Sequence, residues 1–286
     1  MVENLSINRV YQYLLIILAF LMPLTVFGAN LIIVIICLLW LFSGNYKSKF
    51  DQIVSNKLML ASIAFFFLHV VGLLWTEDLS WGWHIVHKMW YFLLLFPVLF
   101  TIVRREHIKF YISAFLLAIT FTEIASYLVW FEIIEPFKNV TVRNSTPFMS
   151  HISYNPILAF AIYLVSYEIF FNKDLVKIKF LSYSFFSAIM TFTMFITGGR
   201  AGYVMFFAMV TIVFFQIFNN DKLKAFIYSG IIVPLIFFLA YLFSDLFQHR
   251  VDTTIHNLLS LSEAYGKETS EGLRINFAQN SWEIIK

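Results

Sequence analysis

The chain has 286 residues, of which 60% are hydrophobic, 20% aromatic and 13% charged, and its formal net charge is +3. Soluble domains contain about 25% charged residues, so this chain has too little charge to cover a water-facing surface, and a soluble globular protein is excluded. Membrane lipids are the expected surroundings. The small positive excess gives no reason to expect a nucleic-acid partner.

Apolar runs follow one another through most of the chain. A transmembrane helix needs about 20 predominantly apolar residues, and nine candidate spans are predicted, at 10–27, 30–43, 58–75, 84–103, 109–131, 155–171, 179–197, 202–218 and 226–244. The first two are short and joined by a tight turn at Gly28-Ala29-Asn30, so a re-entrant hairpin is an alternative for this pair. The runs do not alternate, which excludes a transmembrane β-barrel.

The sequence therefore predicts an all-α fold, a polytopic transmembrane helical bundle of about nine spans over residues 1–244. Residues 245–286 are predicted to begin a large loop outside the membrane. The chain ends within a helical pattern that has no capping residue, so we expect it to be a truncated reading frame.

Lysine and arginine occupy every second connection between the predicted spans. Positive residues concentrate on the cytoplasmic side of membrane proteins, which places the N-terminus with Arg9 in the cytoplasm. The basic loops are 44–57, 104–109, 172–178 and 219–225. The outer side then holds the loops 76–83, 132–154 and 198–201, and the tail from 245.

Four arginines fall on the outer side, against this bias: Arg143, Arg200, Arg250 and Arg274. The guanidinium group binds phosphate through two parallel hydrogen bonds, so an anionic ligand such as a phosphate would explain their placement. The sequence leaves open whether Arg143 and Arg250 contact a substrate or only lipid.

A glycine-rich turn joins the seventh and eighth predicted spans: Thr197-Gly198-Gly199-Arg200-Ala201-Gly202. Glycines permit tight or left-handed backbone and close approach to a ligand, and the next helix starts with free N–H groups. Gly198, Gly199 and Arg200 would thus form a diphosphate site. The alternative is a helical hairpin whose arginine reaches lipid phosphate.

Two further polar residues are candidates. Glu123 lies inside the fifth apolar run, where carboxylates are costly and indicate function; the alternative is a neutral, hydrogen-bonded packing residue. His151 in an outer loop could contact sugar or act as a base, or be merely solvated. His84 and His87 lie in a tryptophan-rich setting typical of an interfacial belt. We expect neither a metal nor a cofactor, and the single cysteine, Cys37, is expected to be a small packed or lipid-facing residue.

Three segments carry a resemblance to a known family. The turn 197–202 resembles the Ser/Thr-x-Ser-Arg-x-Gly signature of the O-antigen ligase and O-antigen polymerase superfamily, although Gly199 stands where serine is commoner. Residues 148–156 resemble the family's outer-loop approach to the next span. Residues 271–277, followed by Trp282, resemble its Ser/Gly-x-Arg-x-x-x-Trp segment. In helix order and loop length the resemblance covers essentially the whole chain.

These enzymes act in the bacterial inner membrane and move glycans from undecaprenyl diphosphate. The resemblance implies a GT-C-like glycosyltransferase that transfers a polysaccharide from this carrier to the lipid A core at the periplasmic face. Arg200 and Arg274 would be catalytic. The substrate-binding candidates are Gly198, Gly199, Arg200, His151 and Glu123. The family's periplasmic histidine and closing spans are absent, which also supports truncation.

Other functions fit the same sequence. Within the superfamily, an O-antigen polymerase or a protein O-oligosaccharyltransferase remains open. From other classes, a polysaccharide transporter or flippase is disfavoured because polar residues gather at the outer rim and no internal repeat is visible. A purely structural membrane subunit would leave the outward arginines without a purpose.

Overall fold

The computed structural model describes residues 2–136, 145–146, 148–260 and 269–285, and every regular element in these ranges is helical. The all-α prediction is therefore confirmed. The α-helices are α1 (Val2–Leu21), α2 (Val26–Phe42), α3 (Tyr46–Val54), α4 (Lys57–Gly72), α5 (Leu79–Lys88), α6 (Phe96–Ile102), α7 (Ile108–Trp130), α8 (His151–Phe171), α9 (Lys177–Ile196), α10 (Arg200–Ile217), α11 (Lys222–Phe243), α12 (Asp245–Leu259) and α13 (Ser270–Ile285).

Six helical stretches in the described residues are long and apolar enough to cross a membrane, and the chain is a multi-pass membrane protein. They are Leu79–Ile102, Arg105–Trp130, His151–Phe171, Lys177–Ile196, Arg200–Ile217 and Lys222–Phe243. A seventh is obtained if α2 and α3, which are bent by 115° at their junction, form one broken span. The predicted count of nine is not confirmed, because the apolar parts of α1 and α4 are shorter than the other spans.

The chain divides into two compact units, Met1–Thr120 and Phe121–Lys286. In the first unit, buried apolar side chains from α1, α2 and α6 form a core, and Cys37 lies within it at 5% exposure, as a packed residue. The Trp40 indole donates to Thr101 Oγ1 at 2.8 Å and joins α2 to α6.

The turn between α1 and α2 is not at Gly28-Ala29-Asn30, as predicted from the sequence. These residues lie inside α2, and the chain turns just before Thr25, which is extended and caps the helix by accepting from the Gly28 N–H at 3.2 Å. Pro23 explains the difference, because proline ends the preceding helix. Threonine is a preferred N-cap, and it starts the next one.

In the second unit, α8 and α10 approach each other so closely that no side chain fits between their first turns. A Cβ on Gly202 would lie 2.2 Å from Asn155 Cβ, and a Cβ on Gly199 would lie 2.8 Å from the carbonyl oxygen of His151. Glycine at both positions is therefore a packing requirement, of the kind that lets membrane helices come into contact.

Helix α12 folds back onto the end of the second unit. Ser244, its N-cap, accepts from the Phe247 N–H at 3.1 Å and donates to the carbonyl of Phe195 at 2.6 Å. Phe247 is 1% exposed and packs edge-on against Phe195, Tyr203 and Phe237. These contacts fix α12 beside the start of α10.

Candidate functional site

Several helix ends meet at one end of the second unit. Hydrogen bonds join the start of α8 to the residue after α9 and the residue after α11 to the end of α9. A cavity of about 570 Å³ opens here. Its lining residues are Trp130, Phe192, Ile196, Phe243, Ser244, Asp245, Leu246 and His249. The lysine-bearing starts of α9 and α11 lie at the opposite end, because these helices run antiparallel to α8 and α10.

The glycine-rich turn is buried and is shaped by helix packing. Gly199 has φ −93° and ψ 95°, which is not the left-handed geometry that the sequence suggested. Gly198 and Gly199 are both buried, and the close approach that requires glycine at position 199 is made by α8. The role of the turn that the structure supports is to place Arg200 at the first position of α10.

Asn155 and Thr197 hold this turn in place. Thr197 Oγ1 donates to Asn155 Oδ1 at 3.0 Å, and Asn155 Nδ2 donates to the Thr197 carbonyl at 3.4 Å. Both side chains are fully buried, and Tyr203 Oη donates to the same carbonyl at 2.8 Å. Sequence analysis gave neither residue a role of its own. Their signal was their presence in two of the three family-like segments.

Arg200 forms an ion pair with Glu271, the second residue of α13. The Glu271 residue is 8% exposed, and its other carboxylate oxygen accepts from Asn257 Nδ2 of α12 at 2.7 Å. Glu271 was not predicted as a site residue; it belongs to the family-like segment 271–277. An acidic residue three positions before Arg274 on a helix was the available signal, since residues at that spacing share a face.

The ion pair with Glu271 places Arg200 beside the start of α13, where Arg274 follows three residues later, and the positive charges of Arg250 and Arg274 act on Arg200. The two arginines predicted to be catalytic, Arg200 and Arg274, are thus brought together although the sequence separates them widely. Arg250, whose role the sequence left open, joins them. Arg143 lies outside the described residues.

His151 is the first residue of α8, and it is half-buried. Its backbone carbonyl faces Gly199, and Arg250 is close enough to act on its ring electrostatically. The structure therefore brings His151 to the arginine-bearing end of the unit.

Glu123 lies deeper, among α7, α8 and α9, at 2% exposure. It accepts from Tyr154 Oη at 2.8 Å and from Thr193 Oγ1 at 2.6 Å, so each carboxyl oxygen has a hydroxyl partner. Thr193 precedes Thr197 by one helical turn on α9, and its carbonyl oxygen, 2.8 Å from Thr197 Oγ1, is a second acceptor for the single proton of that hydroxyl. Glu123 is thus separated from the arginines by the Asn155–Thr197 layer.

No group of three or more histidine, cysteine, aspartate or glutamate side chains suited to a metal ion occurs in the described part of the chain. The described residues at this end of the unit offer guanidinium groups, hydroxyls, the imidazoles of His151 and His249, and the carboxylates of Asp245 and Glu271.

A comparison with protein families gives a match over residues 185–286 to the O-antigen ligase family. The matched segment contains the glycine-rich turn, Arg200, Arg250, Glu271 and Arg274. No curated protein and no solved structure matches the chain. Residues 185–286 are thus similar to the O-antigen ligase family, and this match supports the resemblance to the O-antigen ligase and polymerase superfamily.

Proposed function

We propose that this protein is an O-antigen ligase-like glycosyltransferase, which moves a polysaccharide from undecaprenyl diphosphate to the lipid A core at the periplasmic face of the bacterial inner membrane. The observation that carries the proposal is the ion pair between Arg200 and Glu271, which places Arg200 beside the start of the helix that carries Arg274, within a segment that matches the O-antigen ligase family. Guanidinium groups bind phosphate oxygens through paired hydrogen bonds. A pair of them at one end of a membrane unit suits a diphosphate whose lipid tail lies in the bilayer.

The reaction is a substitution at the anomeric carbon of the donor glycan. A hydroxyl oxygen of the acceptor forms a bond to that carbon and gives up its proton, while the bond from the carbon to the phosphate oxygen breaks. The bonding electrons leave with the diphosphate, so negative charge grows there as the reaction proceeds. Arg200 and Arg274 would stabilise that charge, and fixed charges of this kind can supply a large share of a catalytic effect.

The remaining predicted site residues have supporting roles in this proposal. His151 faces the arginine-bearing end and would contact the glycan. Gly198 and Gly199 would carry the backbone past α8 so that Arg200 reaches the lipid diphosphate. Glu123 would stabilise the Asn155–Thr197 pair through its hydrogen bond with Thr193, and it would not contact the sugar.

The proposed orientation rests on charge. The lysines at positions 173, 177, 179, 222 and 224 lie at or near the end of the second unit opposite to Arg200. Because cytoplasmic ends of membrane helices are enriched in lysine and arginine, we infer that the lysine end is cytoplasmic and the arginine end periplasmic. The proposed cytoplasmic N-terminus rests separately on Arg9 and on the basic loops 44–57 and 104–109 of the sequence.

A glycan polymerase and a protein O-oligosaccharyltransferase would use the same donor, and the family match covers ligase- and polymerase-type functions alike. The three reactions differ in the acceptor. A ligase-deficient strain keeps long chains on the lipid carrier, whereas a polymerase-deficient strain fails to extend them.

The test uses the encoding bacterium after deletion of its chromosomal copy. Arg200→Ala and Arg274→Ala should each fail to restore high-molecular-weight lipopolysaccharide on a gel, while Lys177→Ala, at the other end of the unit, should restore it. Membrane levels of each variant are measured by immunoblot. Normal laddering in both arginine variants would refute the proposed roles.

A further inference from the structure

Arg250 is fixed in place by packing that begins one turn before it. Phe247 is buried against Tyr203, with ring centroids 4.8 Å apart, and Tyr203 belongs to the first turn of α10. Residues three or four apart share a face of a helix, so Arg250 is carried on the same side of α12 towards the start of α10. Its charge acts on Arg200, His151 and Tyr203.

The Arg250 guanidinium lacks an anionic partner among the described residues. Its Nε atom is buried and makes no hydrogen bond there, and no ion pair in the described part of the chain includes Arg250. The Asp252 carboxylate on the same helix accepts from Tyr241 Oη at 2.8 Å instead. A buried donor without a partner costs free energy, and an anionic ligand would satisfy it.

Arg200, Arg250, Arg274 and Glu271 form a charged cluster, and their net charge is positive. Among the described residues, Arg200 pairs with the Glu271 carboxylate, the charges of Arg250 and Arg274 act on Arg200, and the net charge of these four side chains is +2. A diphosphate that is esterified at both ends, by a lipid and by a sugar, keeps one ionised oxygen on each phosphate. It therefore carries two negative charges, equal and opposite to the cluster.

We propose that Arg250 is the third diphosphate-binding arginine of this site and that Glu271 sets the charge of the site to match a doubly esterified diphosphate. The inference rests on the proposed function and adds a binding residue and a charge balance to it. Arg200 is held by Glu271 and reaches the ligand from α10, whereas Arg250 reaches it from α12. A monophosphate esterified at both ends carries a single negative charge and would leave one of these arginines unused.

The test measures binding of two sugar-linked farnesyl probes to the purified full chain in detergent, by titration calorimetry. One is a diphosphate esterified at both ends, which carries two negative charges, and the other is a monophosphate esterified at both ends, which carries one. Arg250→Gln should weaken diphosphate binding by about ten- to a hundredfold, the range for losing a charge-assisted hydrogen bond. It should weaken monophosphate binding much less. Lys177→Gln removes the same charge at the far end of the unit and should leave both affinities unchanged.

Arg200→Gln distinguishes a failure of this inference from a failure of the proposed function. If Arg200→Gln weakens binding and Arg250→Gln does not, Arg250 is not in the site and the inference fails while the proposed function stands. If neither variant alters binding, the proposed function fails too. Should Arg250→Gln lose its cooperative melting transition, Arg250→Lys replaces it. This variant keeps the charge but loses the planar fork, and a preference for diphosphate equal to that of the unmodified chain would overturn the inference.

The charge balance has its own readout. Glu271→Gln added to Arg250→Gln returns the net charge of the cluster to +2 and should recover part of the lost diphosphate affinity. A double variant that binds no better than Arg250→Gln alone would show that charge matching does not govern the site.

Discussion

Asn155 on α8 and Thr197 at the end of α9 exchange two hydrogen bonds, from Thr197 Oγ1 to Asn155 Oδ1 at 3.0 Å and from Asn155 Nδ2 to the Thr197 carbonyl at 3.4 Å. Both side chains are fully buried. Thr197 lies three residues before Arg200, so the pair fixes the direction in which the chain enters α10. The position of the Arg200 guanidinium group therefore depends on two side chains that need not contact the ligand.

Replacement of this pair tests whether it acts through position. Asn155→Ala removes both bonds, and small displacements of a reacting group can cost about a hundredfold in rate, so transferase activity should fall strongly. Thr197→Ser keeps the hydroxyl donor and should retain activity. Both variants are compared by lipopolysaccharide laddering at equal membrane levels. Full activity of Asn155→Ala would show that Arg200 is positioned by other contacts.

Glu123 provides a second test, of a hydrogen-bonding role against a charge-dependent one. Glu123→Gln can still pair with Tyr154 and Thr193, so its stability and activity should remain near those of the unmodified protein. Glu123→Leu leaves both hydroxyls without their acceptor, at a cost of about 1–3 kcal/mol for each buried group. The measurement is the apparent melting temperature in detergent. Loss of activity in Glu123→Gln with an unchanged melting temperature would instead indicate a need for the carboxylate itself.

Two glycines in membrane-spanning helices make a matched pair for a packing test. Gly202→Ala places a methyl group 2.2 Å from Asn155 Cβ and should force α8 and α10 apart, lowering the melting temperature. Gly230→Ala on α11 has no atom within 4 Å of the new methyl group. It should be neutral or stabilising by up to about 1 kcal/mol, the difference in helix propensity. Equal effects of the two changes would contradict the close helix contact.

The proposed orientation can be tested by chemical labelling, because the chain has one cysteine. In a Cys37→Ser background, His249→Cys lies at the arginine end of the second unit and Lys177→Cys at the other. A membrane-impermeant maleimide applied to spheroplasts should label the former only, and both should react after the cells are broken open. Labelling of Lys177→Cys alone in spheroplasts would place the arginines in the cytoplasm and end the proposed function.

Much of the helix order was predictable, because continuous apolar runs bounded by charged loops have few alternatives in a membrane. Each of the nine predicted runs overlaps a helix, but runs differ in how well they suit a full crossing, and the apolar part of α1 covers only Ile7–Leu21. The misplaced turn at Gly28 shows a second limit. Hydropathy identified the break between the runs, while its position depended on Pro23 and on the capping hydroxyl of Thr25.

The site was predictable only in part. Arg200 and Arg274 were selected because they are predicted to lie on the outer side of the membrane, in segments that resemble a family. Arg250 and Glu271 gained their place from tertiary contacts that a single sequence does not display: the burial of Phe247 and the bond from Asn257. The glycine at position 199 is explained by the close approach of α8, whereas the predicted approach of Gly198 and Gly199 to a ligand stays a prediction.

The short link between α11 and α12 makes the register of the outer helices sensitive to chain length. Only Ser244 separates the two helices, and the aromatic contacts of Phe247 follow within one turn. An α-helix rotates by about 100° per residue. One residue inserted between Ser244 and Phe247 would therefore either remove the phenyl ring from its aromatic contacts or turn Arg250 away from Arg200. Length variation is therefore far less tolerable at this junction than in the loops at the lysine end.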